Sequence, residues 1–116
     1  MKTFSLTISL CAILGISACQ QPASPETEAR TMLQKSRALL QEGNYNAARD
    51  TILSMRRKYP TAVQTRKSGI LLLDSIEMFA AKDSCGSATG EEWKRLSLKA
   101  QFYERKLQED LNKLNF

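Results

Sequence analysis

The fold is decided by the stretch Leu39-Leu40-Gln41-Glu42-Gly43-Asn44-Tyr45-Asn46-Ala47-Ala48-Arg49, which places a tight turn between two helical patterns. Gly43 can adopt the left-handed conformation that ends a helix, and the Asn44 side chain can cap the first turn of the next helix. Apolar residues recur at spacings of three and four on both sides of this turn. Two amphipathic helices joined by so short a turn fold back on one another, so the stretch predicts a helical hairpin.

Start and stop signals outside the hairpin extend this prediction to four helices. Ser24-Pro25-Glu26 is typical of a helix start, and Pro60 ends the second helix. The patterns Thr61-x-x-Gln64 and Thr89-x-x-Glu92 both fit the capping box. The resulting prediction is an all-α domain, 25–116, with helices at about 25–42, 45–59, 61–82 and 90–115.

The third and fourth predicted helices have different apolar patterns. The centre of the third helix, 69–73, is apolar nearly all round, which predicts that it lies between other elements. The fourth has a coiled-coil-like stripe, which we expect to pack against the third; its first members are Trp93, Leu96, Ala100, Tyr103 and Leu107, and Leu111 and Leu114 continue it. Oppositely charged pairs four residues apart are expected on its outside: Glu91–Arg95, Arg105–Glu109, Lys106–Asp110 and Glu109–Lys113.

The first nineteen residues have the layout of a cleaved export signal. Lys2 precedes an apolar run, 4–15, that is too short to span a bilayer as a mature helix, and small residues and a cysteine follow. The segment Ile16-Ser17-Ala18-Cys19 resembles the lipobox of bacterial lipoproteins, in which the cysteine becomes the first residue and carries lipid. The resemblance implies a signal peptide at 1–18, lipid attachment at Cys19 and a flexible tether at 19–24.

This resemblance also implies a location and changes the count of free thiols. Gln20 is not the aspartate that signals inner-membrane retention in some enteric bacteria, so we expect a lipid-anchored protein of the bacterial cell envelope, at the outer membrane rather than the inner. Cys11 would be removed and Cys19 lipidated, which excludes an intramolecular disulfide. Cys85 would then be a half-buried, inert thiol or would pair between chains.

The segment 29–60 resembles a tetratricopeptide repeat, a helical hairpin of about 34 residues. Within it, the sequences of 39–49 and 56–60 are similar to repeats found in envelope lipoproteins. The matching residues are Ser36, Leu39, Gly43, Asn44, Tyr45, Ala48, Ile52, Met55, Tyr59 and Pro60. Such repeats expose a concave face from the first helix of each pair, on which partners lie. The resemblance therefore implies a partner-binding surface at Arg30, Gln34, Arg37 and Arg66.

Composition argues against several other functions. Without Lys2 the chain has 16 basic and 12 acidic residues, a net charge of +4, which fits a solvated surface and, for an exported protein, predicts no nucleic-acid partner. The chain has no histidine, and its carboxylates fit helix surfaces, so we expect no catalysis, cofactor, metal or small-molecule substrate. The expected function is an envelope-protein interaction module or accessory subunit. Alternatives are a spacer or oligomeriser acting through Trp93, Tyr103 and Leu107, and, ranked last, a small lipid- or ligand-binding lipoprotein.

Overall fold

The computed structural model describes residues 23–114, and the regular structure within that range is entirely helical. Four helices follow one another, which confirms the predicted all-α, four-helix fold. They are α1 (Pro25–Gln41), α2 (Tyr45–Lys58), α3 (Val63–Cys85) and α4 (Gly90–Leu114). The predicted signal peptide, the Cys19 anchor and most of the predicted tether lie outside the described residues.

The hairpin forms through the local signals that predicted it. The Ser24 hydroxyl accepts the backbone N–H of Thr27 at 3.2 Å, and α1 begins with Pro25. Gly43 has a φ of +76°, a value that costs a residue with a Cβ roughly 1–2 kcal/mol. The Asn44 side chain then accepts the backbone N–H of Ala47 at 3.4 Å. Helix α1 therefore ends and α2 begins within three residues, and the two helices pack antiparallel.

The core of the hairpin is built from small and medium apolar side chains. Ser36 is fully buried among them, and its hydroxyl donates to the carbonyl oxygen of Ala48 at 2.8 Å. A short side chain at each of these two positions lets the helices approach closely. The buried apolar residues of α1 and α2 are Ala29, Leu33, Ala48, Ile52 and Met55.

Helix α3 packs against all three other helices, most extensively against α4. At its centre, a Cβ on Gly69 would lie 2.8 Å from the terminal methyl carbon of Met55, so the missing side chain allows α2 to approach. Leu72 and Ile76 are buried beside it. The prediction that this apolar segment lies between other elements is confirmed.

The predicted capping box Thr61-x-x-Gln64 does not start the third helix. Helix α3 begins at Val63, and the residue that precedes it, Ala62, is fully buried and supplies no side-chain cap. Glu26 of α1 caps it instead, since its two carboxylate oxygens accept the backbone N–H groups of Gln64 and Thr65 at 3.0 and 3.1 Å. Because Glu26 stands near the start of α1, α1 and α3 begin at the same end and run in the same direction.

Helix α4 runs antiparallel to α3 and covers its remaining side. Leu96 and Ala100 are buried, whereas Trp93 is 51% exposed, so the predicted packing stripe begins later than expected. Of the predicted charge pairs, Lys106–Asp110 and Glu109–Lys113 form, at 2.6 and 3.9 Å, while Arg95 pairs with Glu92 rather than with Glu91. The ion pairs found within residues 23–114 do not include Arg105–Glu109. No helix of this part of the chain is both long and apolar enough to cross a membrane.

Candidate functional site

Three of the four predicted partner-binding residues line one groove between α1 and α3. Arg30, Gln34 and Arg37 follow one another at spacings of four and three, which places them on one face of α1, and all three are exposed. The opposite wall is polar and comes from the first turns of α3, and the groove encloses about 240 Å³. Its α3 residues are Gln64, Thr65 and Ser68.

Arg66 has a different place in the structure. Its Nη1 atom donates to the carbonyl oxygen of Pro60 at 2.8 Å, in the connection between α2 and α3. Its Nε atom is buried and has no hydrogen-bond partner within the described residues. Arg66 is not among the residues that line the α1–α3 groove, so it braces the α2–α3 turn and does not extend the row of Arg30, Gln34 and Arg37.

The carboxylate of Glu26 is not among the groups that line this groove, and it binds the start of α3. The Thr65 hydroxyl donates to Glu26 at 2.6 Å, in addition to the two backbone N–H groups. The Thr65 hydroxyl contributes most to lowering the pKa of Glu26; partial desolvation opposes it, while the backbone donors and the charge of Arg30 add to it. Glu26 therefore stays ionised and bound to α3.

A second groove, which sequence reasoning missed, continues from the first. Arg37 and Ser68 line both, and the second encloses about 380 Å³. Its walls are mainly apolar: Leu71 and Leu72 come from α3 and Leu107 and Leu111 from α4. The sequence shows Leu107 and Leu111 one turn apart, but their spacing assigns them equally well to the core, and only the antiparallel packing of α4 on α3 brings them beside Arg37.

Comparison with protein-family models, curated proteins and solved structures gives no match to this chain. Its function is therefore inferred from its own residues and their geometry.

A further cleft of about 490 Å³ lies among α2, α3 and α4, and its charged residues neutralise one another. Glu77 pairs with Arg49 and lies 3.5 Å from Lys99. Burial raises the pKa of Glu77, but these two cations outweigh it, and the pKa is lowered. Lys106 lies 3.0 Å from Asp74 and 2.6 Å from Asp110; burial, together with the nearby Asp110, raises the pKa of Asp74. We interpret these groups as ties between helices.

The only described cysteine, Cys85, carries a free and half-buried thiol. Its Sγ atom lies 4.0 Å from the carbonyl oxygen of Trp93, at the connection between α3 and α4. Within residues 23–114 no group of three or more His, Cys, Asp or Glu side chains is arranged to hold a metal ion. The α1–α3 groove and its continuation are therefore the candidate site.

Proposed function

We propose that this chain is a lipid-anchored protein of the bacterial envelope whose helical domain binds a protein partner and performs no catalysis. The observation that carries the binding function is the α1–α3 groove, in which Arg30, Gln34 and Arg37 form an exposed row opposite the polar side chains of α3. The anchor is supported by the segment that ends at Cys19. Two acyl chains hold a protein stably at a membrane, which would leave the helical faces free for a partner.

The packing of residues 25–85 supports the tetratricopeptide-like part of the proposal. In such repeats, the first helices of successive pairs lie side by side and share one face. Here α1 and α3 run in the same direction and contact each other, while α2 packs against both. The close approach at Ser36 and Ala48 and the turn at Gly43 fall at positions that carry the resemblance.

The anchor is tested by changing Cys19→Ser in the full chain, expressed in its own host and followed by membrane fractionation. We expect the variant to lose incorporation of labelled palmitate and to leave the membrane fraction. Cys11→Ser is the matched control, because it changes a cysteine in the segment expected to be removed, and it should leave both measurements unchanged. A Cys19→Ser variant that stays lipidated at the membrane would contradict the anchor.

The binding surface is tested by crosslinking in cells. A variant in which Arg30, Gln34 and Arg37 are all changed to Ala should lose the crosslinked partners of the unchanged protein. The control is the same treatment of three exposed residues elsewhere, Arg56, Arg57 and Lys58 at the end of α2. If the partners still crosslink to the groove variant and are lost from the control variant, the binding surface lies outside the groove.

Self-association through α4 is a second candidate function, favoured by the apolar side chains that this helix exposes. Trp93, Leu98 and Phe102 are each more than half exposed, whereas Tyr103 and Leu107 are half-buried on the domain side of the helix. Of the three residues that the sequence suggested for an oligomeriser, only Trp93 is therefore well exposed, and Leu98 and Phe102 would take the place of the other two. Light scattering on the chain distinguishes the two functions, since a monomer at micromolar concentration excludes this one.

A further inference from the structure

The two grooves that share Arg37 and Ser68 form one continuous surface across α1, α3 and α4, which we call the composite groove. It has two chemically different ends. Arg30 and Gln34 line one end, Leu107 and Leu111 the other, and Arg37 lies where they meet. Leu111 is 41% exposed, so an apolar side chain here is in reach of a partner.

The charges along the composite groove are of one sign. Its lining includes Arg30 and Arg37 and no carboxylate, whereas three further grooves of the described chain are lined by acidic as well as basic side chains. Neither Arg30 nor Arg37 forms a side-chain hydrogen bond or ion pair within residues 23–114. Glu26, which lies four residues before Arg30 in α1, already accepts three hydrogen bonds from α3. Both guanidinium groups are therefore available to an outside anion.

The spacing of the two arginines restricts the ligand further. They are seven residues apart in one helix, which separates their backbone positions by about 10 Å. An extended peptide in the polyproline II conformation rises about 3.1 Å per residue and has three residues per turn, so its side chains three positions apart lie on the same side, about 9 Å from each other. The side chains around them offer hydrogen bonds to a peptide backbone: Gln34, Gln64, Ser68 and Ser75.

We infer that the composite groove binds an extended protein segment with two carboxylates about three residues apart, followed by apolar side chains. The carboxylates would pair with Arg30 and Arg37, and the apolar side chains would lie against Leu71, Leu107 and Leu111. This inference rests on the proposed interaction function and specifies the chemistry of its partner. A nucleic acid or anionic lipid headgroup would use the two arginines, but neither would need the apolar end.

The test is a binding measurement by fluorescence anisotropy, with the full chain in detergent micelles. The probes are ten-residue synthetic peptides with two glutamates two to seven positions apart, followed by two leucines. Two further sets replace the glutamates by glutamine or the leucines by serine. We expect the acidic–apolar peptides to bind best at the three-residue spacing, and either replacement to weaken binding about ten-fold or more.

Variants of the protein locate the binding. Arg30→Gln and Arg37→Gln should each weaken the best peptide about ten-fold, and the difference should shrink at high salt. Leu111→Ser should weaken the leucine-containing peptides and leave their serine analogues unchanged. Arg57→Gln, on the exposed end of α2, is the matched control and should bind like the unchanged chain. Circular dichroism checks that each variant keeps its helices.

Three results would overturn the inference. The first is that no acidic–apolar peptide binds with a dissociation constant below about 1 mM. The second is that peptide binding does not change in Arg30→Gln and Arg37→Gln. The third is that the chain binds single-stranded oligonucleotides or phosphatidylglycerol vesicles instead of the peptides and that these two variants lose that binding. The crosslinking experiment is independent of these peptides. If crosslinked partners still depend on Arg30, Gln34 and Arg37 while the peptides fail, the groove binds a partner of other chemistry and the proposed function stands.

Discussion

Glu26 is the residue through which the first and third helices are held in register. The first N–H groups of an α-helix have no partner within that helix. In α3 they are not capped by the preceding residue, because Ala62 has no polar side chain, and the carboxylate of Glu26 takes that part from the neighbouring helix. A single acidic side chain thus satisfies one helix end and aligns the two walls of the candidate groove.

We predict that Glu26→Gln lowers the free energy of unfolding of the domain at neutral pH and makes this free energy change less as the pH is lowered. The pKa of Glu26 is below its ordinary value of 4.5 in the folded chain. Its stabilising contribution is therefore present above pH 4.5 and is lost as the pH falls through the lower, folded-state pKa. Thermal unfolding followed by circular dichroism from pH 7 down to pH 3 should show the two proteins converging in acid.

The matched control for this prediction is Glu91→Gln, in the first turn of α4. It makes the same change of charge near a helix start, but the ion pair in this turn is formed by Glu92 instead. We expect a smaller loss of stability than for Glu26→Gln. Equal losses in the two variants would mean that only the helix dipole matters and that the contact between α1 and α3 does not.

At the scale of the helices, α3 combines an apolar core with buried charges that point towards its neighbours. Glu77 is 12% exposed and faces Arg49 of α2 and Lys99 of α4. Asp74, whose side chain is 4% exposed, is more deeply buried and binds Lys106 of α4. Lys99 precedes Lys106 by seven residues in α4, whereas its partner Glu77 follows Asp74, the partner of Lys106, in α3. These two ties therefore fix the antiparallel register of the pair.

We predict that Glu77→Gln destabilises the domain by about 1.5–3 kcal/mol near pH 7, since it removes the common partner of two cations from a partly desolvated site. For a domain of this size, the melting temperature should fall by several degrees for each kcal/mol. Because the pKa of Glu77 is below its ordinary 4.5, the deficit should narrow as the pH falls through the folded-state pKa. Urea unfolding at pH 7 and pH 4 measures both effects.

The exposed pair Arg95–Glu92 provides the comparison for this prediction. Its side chains are 62% and 55% exposed, so water screens their attraction. Glu92→Gln should hardly change the unfolding midpoint at either pH. A Glu77→Gln variant as stable as the Glu92→Gln variant would show that the buried pair contributes no more than a surface pair.

At this scale, signals that act between neighbours in the sequence were predictable, whereas contacts between helices were not. Ser24, Gly43 and Asn44 act on neighbours within a few residues, and the structure uses all three as predicted. Thr61 carries an equally good local signal, yet α3 starts later because a distant carboxylate caps it. Arg66 is a second example. The helical pattern gives the face of the helix on which it lies, but it does not predict that its side chain binds the Pro60 carbonyl oxygen.

The same limit holds for the candidate site. A helical spacing of four and three is enough to align Arg30, Gln34 and Arg37 on one face, and this part was predictable. The apolar half of the composite groove was not, because it depends on how far α4 slides along α3. That offset is set by Asp74 with Lys106 and by Glu77 with Lys99, and no local pattern in the sequence pairs those residues.

At the scale of the whole domain, α4 is the element that closes the fold. Helices α1 and α2 cover one side of α3, and α4 covers the other. Without α4, α3 would expose the apolar residues that Leu96 and Ala100 now cover, and Asp74 and Glu77 would lose Lys106 and Lys99. In a helical stack this short, the contacts with α4 are a large share of all contacts between helices, so their loss removes a large part of the stability.

We therefore predict that a chain ending at Ala88 loses cooperative folding, whereas a chain ending at Leu111 retains it. The longer chain keeps Leu96, Ala100 and both charged ties, so it should melt in one transition close to that of the full chain. The shorter chain should lose its sigmoidal transition and the slow amide exchange of α3. Thermal unfolding and hydrogen exchange measure the two properties. If the chain ending at Ala88 melts cooperatively, the first three helices form a stable unit, and α4 serves the composite groove and not the core.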